Sequence, residues 1–185
     1  MRTHPNAGHF ALCDLAALPW IEDLTIVTRN VDDLHERAGS LQVVHLHGSL
    51  FAPRCLSCER PAELGWSKEA VTPAEDKTSA LLEPPLCSYC RGRIRPGVVW
   101  FYEELPLTSW NQAVACATAA DLLLLVGTSG RIYPAAGLPE ITERQGRAVW
   151  VIDPDEGVKT GKRQVWPSTA AVTLPLLVAV CRDGE

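Results

Sequence analysis

The chain has 185 residues, 46% of them hydrophobic and 21% charged, with 17 Lys and Arg against 22 Asp and Glu and a net charge of -5. That length supports one substantial core with room for a small satellite module, and the composition is that of an ordinary globular protein. The charge argues against nucleic acid or an anionic membrane as partner, and no apolar run reaches the roughly 18 residues a membrane helix needs. The N-terminal residues lack a signal peptide's apolar core, so the expected compartment is the cytoplasm.

Residues 5–18 read as a helix, with Pro5 in the first turn and Phe10, Leu12, Leu15 and Leu18 on a loose apolar face. His9 within it reads as structural. Residues 24–27, Leu-Thr-Ile-Val, read as a buried parallel strand. It rises into Thr28, Arg29, Asn30, Asp32 and Asp33, after which a short helix runs to Ala38 and stops at Gly39. Asp33, Glu36 and Arg37 read as the solvated face of that helix. A second apolar run then delivers His45, His47 and Gly48. Two residues apart, the histidines are expected to point the same way on a strand, and Gly48 lets a ligand approach His47 closely. In open α/β sheets ligands bind beyond the carboxyl ends of strands. Asn30, Asp32 and His47 therefore form one candidate polar pocket, with His47 as the chemical group.

Cys55 and Cys58 make one Cys-x-x-Cys pair, and Cys87 and Cys90 a second. Two such pairs complete a tetrahedral zinc site, and four thiolates leave no position for water, so the ion is structural. The separation exceeds the commonest spacing of about 15–20 residues, so residues 59–85 should loop out. A redox use of one pair would not require the other. Cys13, Cys116 and Cys181 stand in apolar surroundings and read as core.

Residues 95–103 return as an extended apolar segment, read either as a core strand or as the wall of an apolar tunnel that an extended peptide pairs with. Residues 106–119 read as a helix with Trp110, Val114 and Ala117 on one face. Residues 121–126 are an apolar strand running into Gly127, Thr128, Ser129 and Gly130, followed by a helix-like stretch over 134–145; this fits a nucleotide-binding turn. Residues 149–152 give another strand, and Asp153 at its end suits acceptance of hydrogen bonds from ribose hydroxyls. Residues 172–180 read as a last strand or short helix.

The run from Thr28 to Ser40, closed by His47-Gly48, resembles the T-Q-N-[IV]-D-x-L-H-x-x-A-G and H-G signature of the sirtuins, the NAD-dependent protein-lysine deacylases. The likeness is to the bacterial type and covers nearly the whole chain in order. It includes Pro5 to His9, the four cysteines, Arg95-Pro96 with Val98 to Phe101, Gly127-Thr128-Ser129 and Tyr133-Pro134-Ala135. It implies a Rossmann-like parallel sheet with helices on both faces, formed by residues 1–51 and 97–185, with a small zinc-binding domain, residues 52–96, inserted in it. It further implies that an acyl-lysine of a protein substrate and NAD meet between them. The acyl oxygen attacks the nicotinamide ribose, nicotinamide leaves, and His47 acts as general base on a ribose hydroxyl against the resulting imidate. An imidazole suits that role, since its unperturbed pKa of about 6.5 lies near working pH. Asn30 and Asp32 would hold the nicotinamide side, Gly127, Thr128 and Ser129 the dinucleotide, Asp153 the adenosine ribose, and Val99 and Phe101 the acyl-lysine channel. The products would be free lysine, nicotinamide and O-acyl-ADP-ribose.

Four departures from the family pattern accompany the likeness. The N-terminal Gly-Ala-Gly phosphate loop and first strand are not found, so the expectation is an N-terminally truncated chain. Arg29 stands where the family has glutamine, Tyr102 where it has glycine, and Asp153 where it has asparagine. The alternative expectation is a catalytically impaired sirtuin that serves as a zinc-bearing peptide-binding module.

Overall fold

Asn6 starts the first helix. Its side-chain oxygen accepts from the backbone N–H groups of Gly8 (2.9 Å) and His9 (3.3 Å), while His9 Nδ1 accepts from the Asn6 N–H (3.2 Å). His9 is thus one half of a capping box, which satisfies donors the first turn leaves free. The helix, α1, covers Ala7–Ala16. The computed structural model describes residues 3–62, 83–128, 130–155 and 163–183.

The strand expected at 24–27 is β1, Ile26–Thr28, followed by the short helix α2, Leu34–Ala38, which Gly39 ends with φ of 111°. That left-handed C-cap is one glycine adopts without a Cβ penalty. β2, Val43–His45, pairs in parallel with β1. β3, Gly48–Cys55, and β4, Ile94–Val98, form an antiparallel pair that carries the cysteines. Helix α3, Leu107–Ala119, leads into β5, Leu122–Val126. A 3-10 turn at Ala135–Gly137 precedes α4, Leu138–Arg144, so the helix expected over 134–145 begins with a tighter turn. β6, Ala148–Ile152, and β7, Gln164–Trp166, complete a three-stranded parallel ladder in the order β5-β6-β7.

Alternation along β5 puts helices on both of its faces. Leu123 packs towards the cluster of Leu46, Ala113, Ala117 and Leu138, contributed by α3, α4 and the end of β2. Leu124 and Val126 pack towards Ala11, Leu15, Leu18, Ile152, Leu174 and Val178, where α1 meets α5 (Ala170–Asp183). Successive strand residues point to opposite faces, which makes this a helix–sheet–helix arrangement of the Rossmann-like kind.

Several expectations change. The tail segment 172–180 is one long helix, α5, that accommodates Pro175. Its amphipathic period and burial of Leu174 and Val178 outweigh the helix-breaking residue. β7 was not anticipated, being a three-residue strand placed by its pairing with β6. The parallel strands form two ladders, β1-β2 and β5-β6-β7, with no backbone pairing between them among the described residues. Most of the segment expected to loop out, residues 63–82, lies outside the described residues.

Candidate functional site

β2 ends at His45, and a turn follows before β3. The two histidines expected on one strand face therefore part company. His45 belongs to the α2 side: its Nε2 contacts Glu36 Oε1 at 2.6 Å and its Nδ1 lies 3.2 Å from the Asn30 carbonyl. Hydrogen bonding to His45 lowers the Glu36 pKa against the raising effect of its burial. Glu36 is thus more than a solvated face. His47 lies in the turn after β2, where its Nδ1–H donates to the Arg29 carbonyl at 3.0 Å. A carbonyl only accepts, so this bond fixes the proton on Nδ1 and leaves the Nε2 lone pair available. The His47 carbonyl in turn accepts from the Val99 N–H at 2.8 Å, which sets Val99 beside it.

The close approach at Gly48 is steric as well as conformational. Its φ is 69°, and an added Cβ would lie 2.0 Å from the Gly97 carbonyl oxygen. No side chain fits there, so Gly48-Gly97 contact seats β3 against β4 immediately after His47.

The other predicted groups gather at the carboxyl ends of the strands, where loops present polar atoms. Asn30 follows β1, and its N–H donates to Thr28 Oγ1 (3.0 Å) in a small turn. Asp32 accepts from the Leu34 N–H (3.1 Å), which gives it a local role at the start of α2. Gly127, with φ of 57°, follows β5 and donates its N–H to the Ile152 carbonyl (2.9 Å). That bond holds the 127–128 turn beside Asp153, which is buried and accepts from the Asp155 N–H (2.9 Å). Among the described residues, nothing lies within 4 Å of a Cβ built on Gly127 or Gly130. Ser129 lies outside the described residues.

Arg29 joins the two groups. Its carbonyl holds His47, and its Nη1 donates to Thr128 Oγ1 at 3.2 Å across the space between the ladders. Sequence reading singled out Arg29 only as a departure, not as the bridge. Phe101, expected in a channel wall, is 92% exposed, next to Trp100 and Tyr102, which are also exposed. Tyr102 holds a left-handed φ of 72°, a conformation glycine adopts more readily. Arg95 anchors this corner: its Nη2 donates to Glu103 Oε2 (3.0 Å) and to the Val98 carbonyl (2.9 Å). The Arg95 guanidinium, helped by the Trp100 N–H, holds the Glu103 carboxyl down at about 2.

The four cysteines converge. Their sulfurs all lie within 4.8 Å of one another, with Cys55 to Cys90 at 3.4 Å and Cys58 to Cys87 at 3.9 Å. Zn–S bonds of about 2.3 Å in a tetrahedron require S···S edges of roughly 3.8 Å, so small shifts of the sulfurs bring the set to zinc geometry. Two matching turns build it. Glu59 (φ 59°) donates its N–H to the Cys55 carbonyl, and Arg91 (φ 62°) donates to the Cys87 carbonyl, each closing one Cys-x-x-Cys loop. The Cys58 and Ser57 backbone hydrogen bonds bring the Cys55 thiol down to about 6. At Cys90 the Gly92 N–H acts in the same sense, but the neighbouring Cys55 and Cys58 sulfurs outweigh it and push the thiol up to about 12. Crowded sulfurs resist losing their last protons unless a cation takes their place.

Comparison with known proteins matches this arrangement. The model of the Sir2 family matches residues 1–134. The chain is 47% identical over 175 residues to an NAD-dependent protein deacylase of Pseudomonas putida, covering 94% of this chain and 64% of that protein. It is 44% identical over 181 residues to an NAD-dependent protein deacylase of Corynebacterium glutamicum, covering 96% and 67%. Among solved structures, a Sir2 homolog–NAD complex superposes with a TM-score of 0.81 at 36% identity, over 98% of this chain and 66% of that one. A Sir2 bound to acetylated peptide gives 0.74 at 28% identity, over 98% and 71%. The chain thus spans about two thirds of the length of the proteins it matches. With the family model covering well over half of the chain, this chain belongs to the Sir2 family.

Proposed function

We propose that this chain is an NAD-dependent protein-lysine deacylase of the sirtuin type, releasing nicotinamide and passing the acyl group to ADP-ribose. One observation carries the reading: His47 and Thr128, from separate parallel ladders, are held together through Arg29 at the strand ends. The named activities of the relatives and the NAD and acetylated peptide in the similar structures support it.

NAD, when bound, supplies the ribose carbon that accepts the acyl oxygen and nicotinamide as leaving group. His47, its Nδ1 proton committed to Arg29, takes a ribose hydroxyl proton at Nε2. Asn30 and Asp32 hold the nicotinamide side; Gly127, Thr128, Ser129 and Asp153 hold the remainder. Val99 lies next to His47 and, with Phe101, receives the acyl-lysine. Cys55, Cys58, Cys87 and Cys90 hold a structural zinc. We assign residues 1–51 and 97–185 to the dinucleotide-binding domain and 52–96 to the zinc domain, whose base is the β3-β4 pair. Thiolate ligands suit the reducing cytoplasm.

A second reading follows from the exposed run Trp100, Phe101 and Tyr102: a zinc-bearing module that binds peptide without turnover. Zinc-loaded protein mixed with NAD and an acetyl-lysine peptide separates the two. Peptide-dependent nicotinamide release supports the enzyme. Peptide binding that ignores NAD, with no nicotinamide formed, supports the module.

A further inference from the structure

The guanidinium of Arg29 has five N–H donors, yet the described residues occupy one of them, the Nη1 bond to Thr128 Oγ1. Its Nε is buried without a hydrogen-bond partner, and no carboxylate among the described residues lies within ion-pair distance. The two carboxylates at these strand ends each accept from a backbone N–H, Asp32 from Leu34 and Asp153 from Asp155. A buried N–H left without an acceptor costs stability unless one arrives. The acceptor best matched to a planar fork of donors is a carboxylate or phosphate, bound by two parallel bonds.

The surroundings favour phosphate. Thr128 Oγ1 accepts from Arg29 and, at 3.4 Å, from the Gly130 N–H, and its own hydrogen has no acceptor among the described residues. In the turn that carries it, no heavy atom of the described residues lies within 4 Å of a Cβ built on Gly127 or Gly130. Guanidinium and hydroxyl therefore lie side by side beyond the ends of β1 and β5, next to that turn. We infer that Arg29 is a phosphate-binding residue of this chain, gripping the pyrophosphate of the dinucleotide together with Thr128. The inference rests on the dinucleotide reading above and adds to it a charged contact at a position where the family pattern has glutamine.

Calorimetric titration of the zinc-loaded chain with ADP-ribose, adenosine and inorganic pyrophosphate tests it. Arg29→Gln is expected to weaken ADP-ribose by about 10–100-fold, the size of a lost charge-assisted pair, and to flatten its salt dependence. Arg29→Lys should recover part of the loss, and adenosine should bind wild type and variant alike. Equal ADP-ribose affinity in wild type and Arg29→Gln overturns the inference while leaving the dinucleotide reading standing. An equal loss for adenosine also overturns it, making Arg29 a structural tie. Pyrophosphate alone binding as tightly as ADP-ribose would assign the pair to free phosphate instead. No binding of either nucleotide by the wild-type chain would sink both readings.

Discussion

Arg29 and Thr128 meet at 3.2 Å across two parallel ladders that share no backbone hydrogen bond among the described residues, although 99 positions separate them in the chain. The contact is a side-chain tie between strand ends that the backbone leaves unjoined. Thr128→Val removes the acceptor and keeps the shape, so it should destabilise the chain by about 0.5–1.5 kcal/mol. Urea denaturation at neutral pH reads this, and an unchanged midpoint would show that the tie contributes nothing in solution.

Glu103 gives a pH signature. Its folded pKa of about 2 lies below the ordinary carboxylate value, chiefly through hydrogen bonding to Arg95. A depressed pKa means the pair's contribution is fully present above about pH 4.5 and fades as pH falls towards 2. Glu103→Gln should melt lower than wild type at neutral pH, and the gap should close across that acid window. A gap that stays constant from pH 6 to 2 would mean the pair is not formed. The Glu103 side chain is partly exposed, so added salt should also narrow the gap.

Two glycines separate steric from conformational demands. A Cβ on Gly97 would sit 1.8 Å from the Ala52 carbonyl oxygen, whereas one on Gly146, with φ of 74°, meets nothing within 4 Å among the described residues. Gly146→Ala should cost only the left-handed penalty of about 1–2 kcal/mol. Gly97→Ala must displace β3 from β4 and should abolish soluble expression or cost well over that. Equal melting temperatures for the two variants would contradict the packing described for β3 and β4.

Cys87→Ser removes one of four converging ligands and should release zinc and melt the zinc domain at lower temperature. Metal analysis with a thermal melt checks it. Retention of one zinc per chain with an unchanged melt would show that the tetrad is not the metal's anchor.

The zinc set was legible because Cys-x-x-Cys spacing fixes its own turn, and the structure adds only how the halves meet. The strand ends bearing Asn30 and Gly127 were legible too, since apolar runs ending in polar turns mark strand boundaries. His45 and His47 were not: period-two reasoning holds only within a strand, and β2 stops at His45. Glu36 is exposed as read, but helical periodicity reports which way a side chain points, not that His45 waits opposite it. Likewise nothing local announces that Arg29 reaches Thr128, because that contact depends on how the two ladders lie in space.

The central claim is that His47 performs acyl transfer to the ribose at the joined strand ends. Its most direct test is mass spectrometry of O-acetyl-ADP-ribose formed from NAD and an acetyl-lysine peptide by zinc-loaded wild type and His47→Ala. Wild type should form it in step with nicotinamide and deacetylated peptide, and His47→Ala should lose at least about 100-fold with its zinc content unchanged. O-acetyl-ADP-ribose formed equally by His47→Ala would contradict the account.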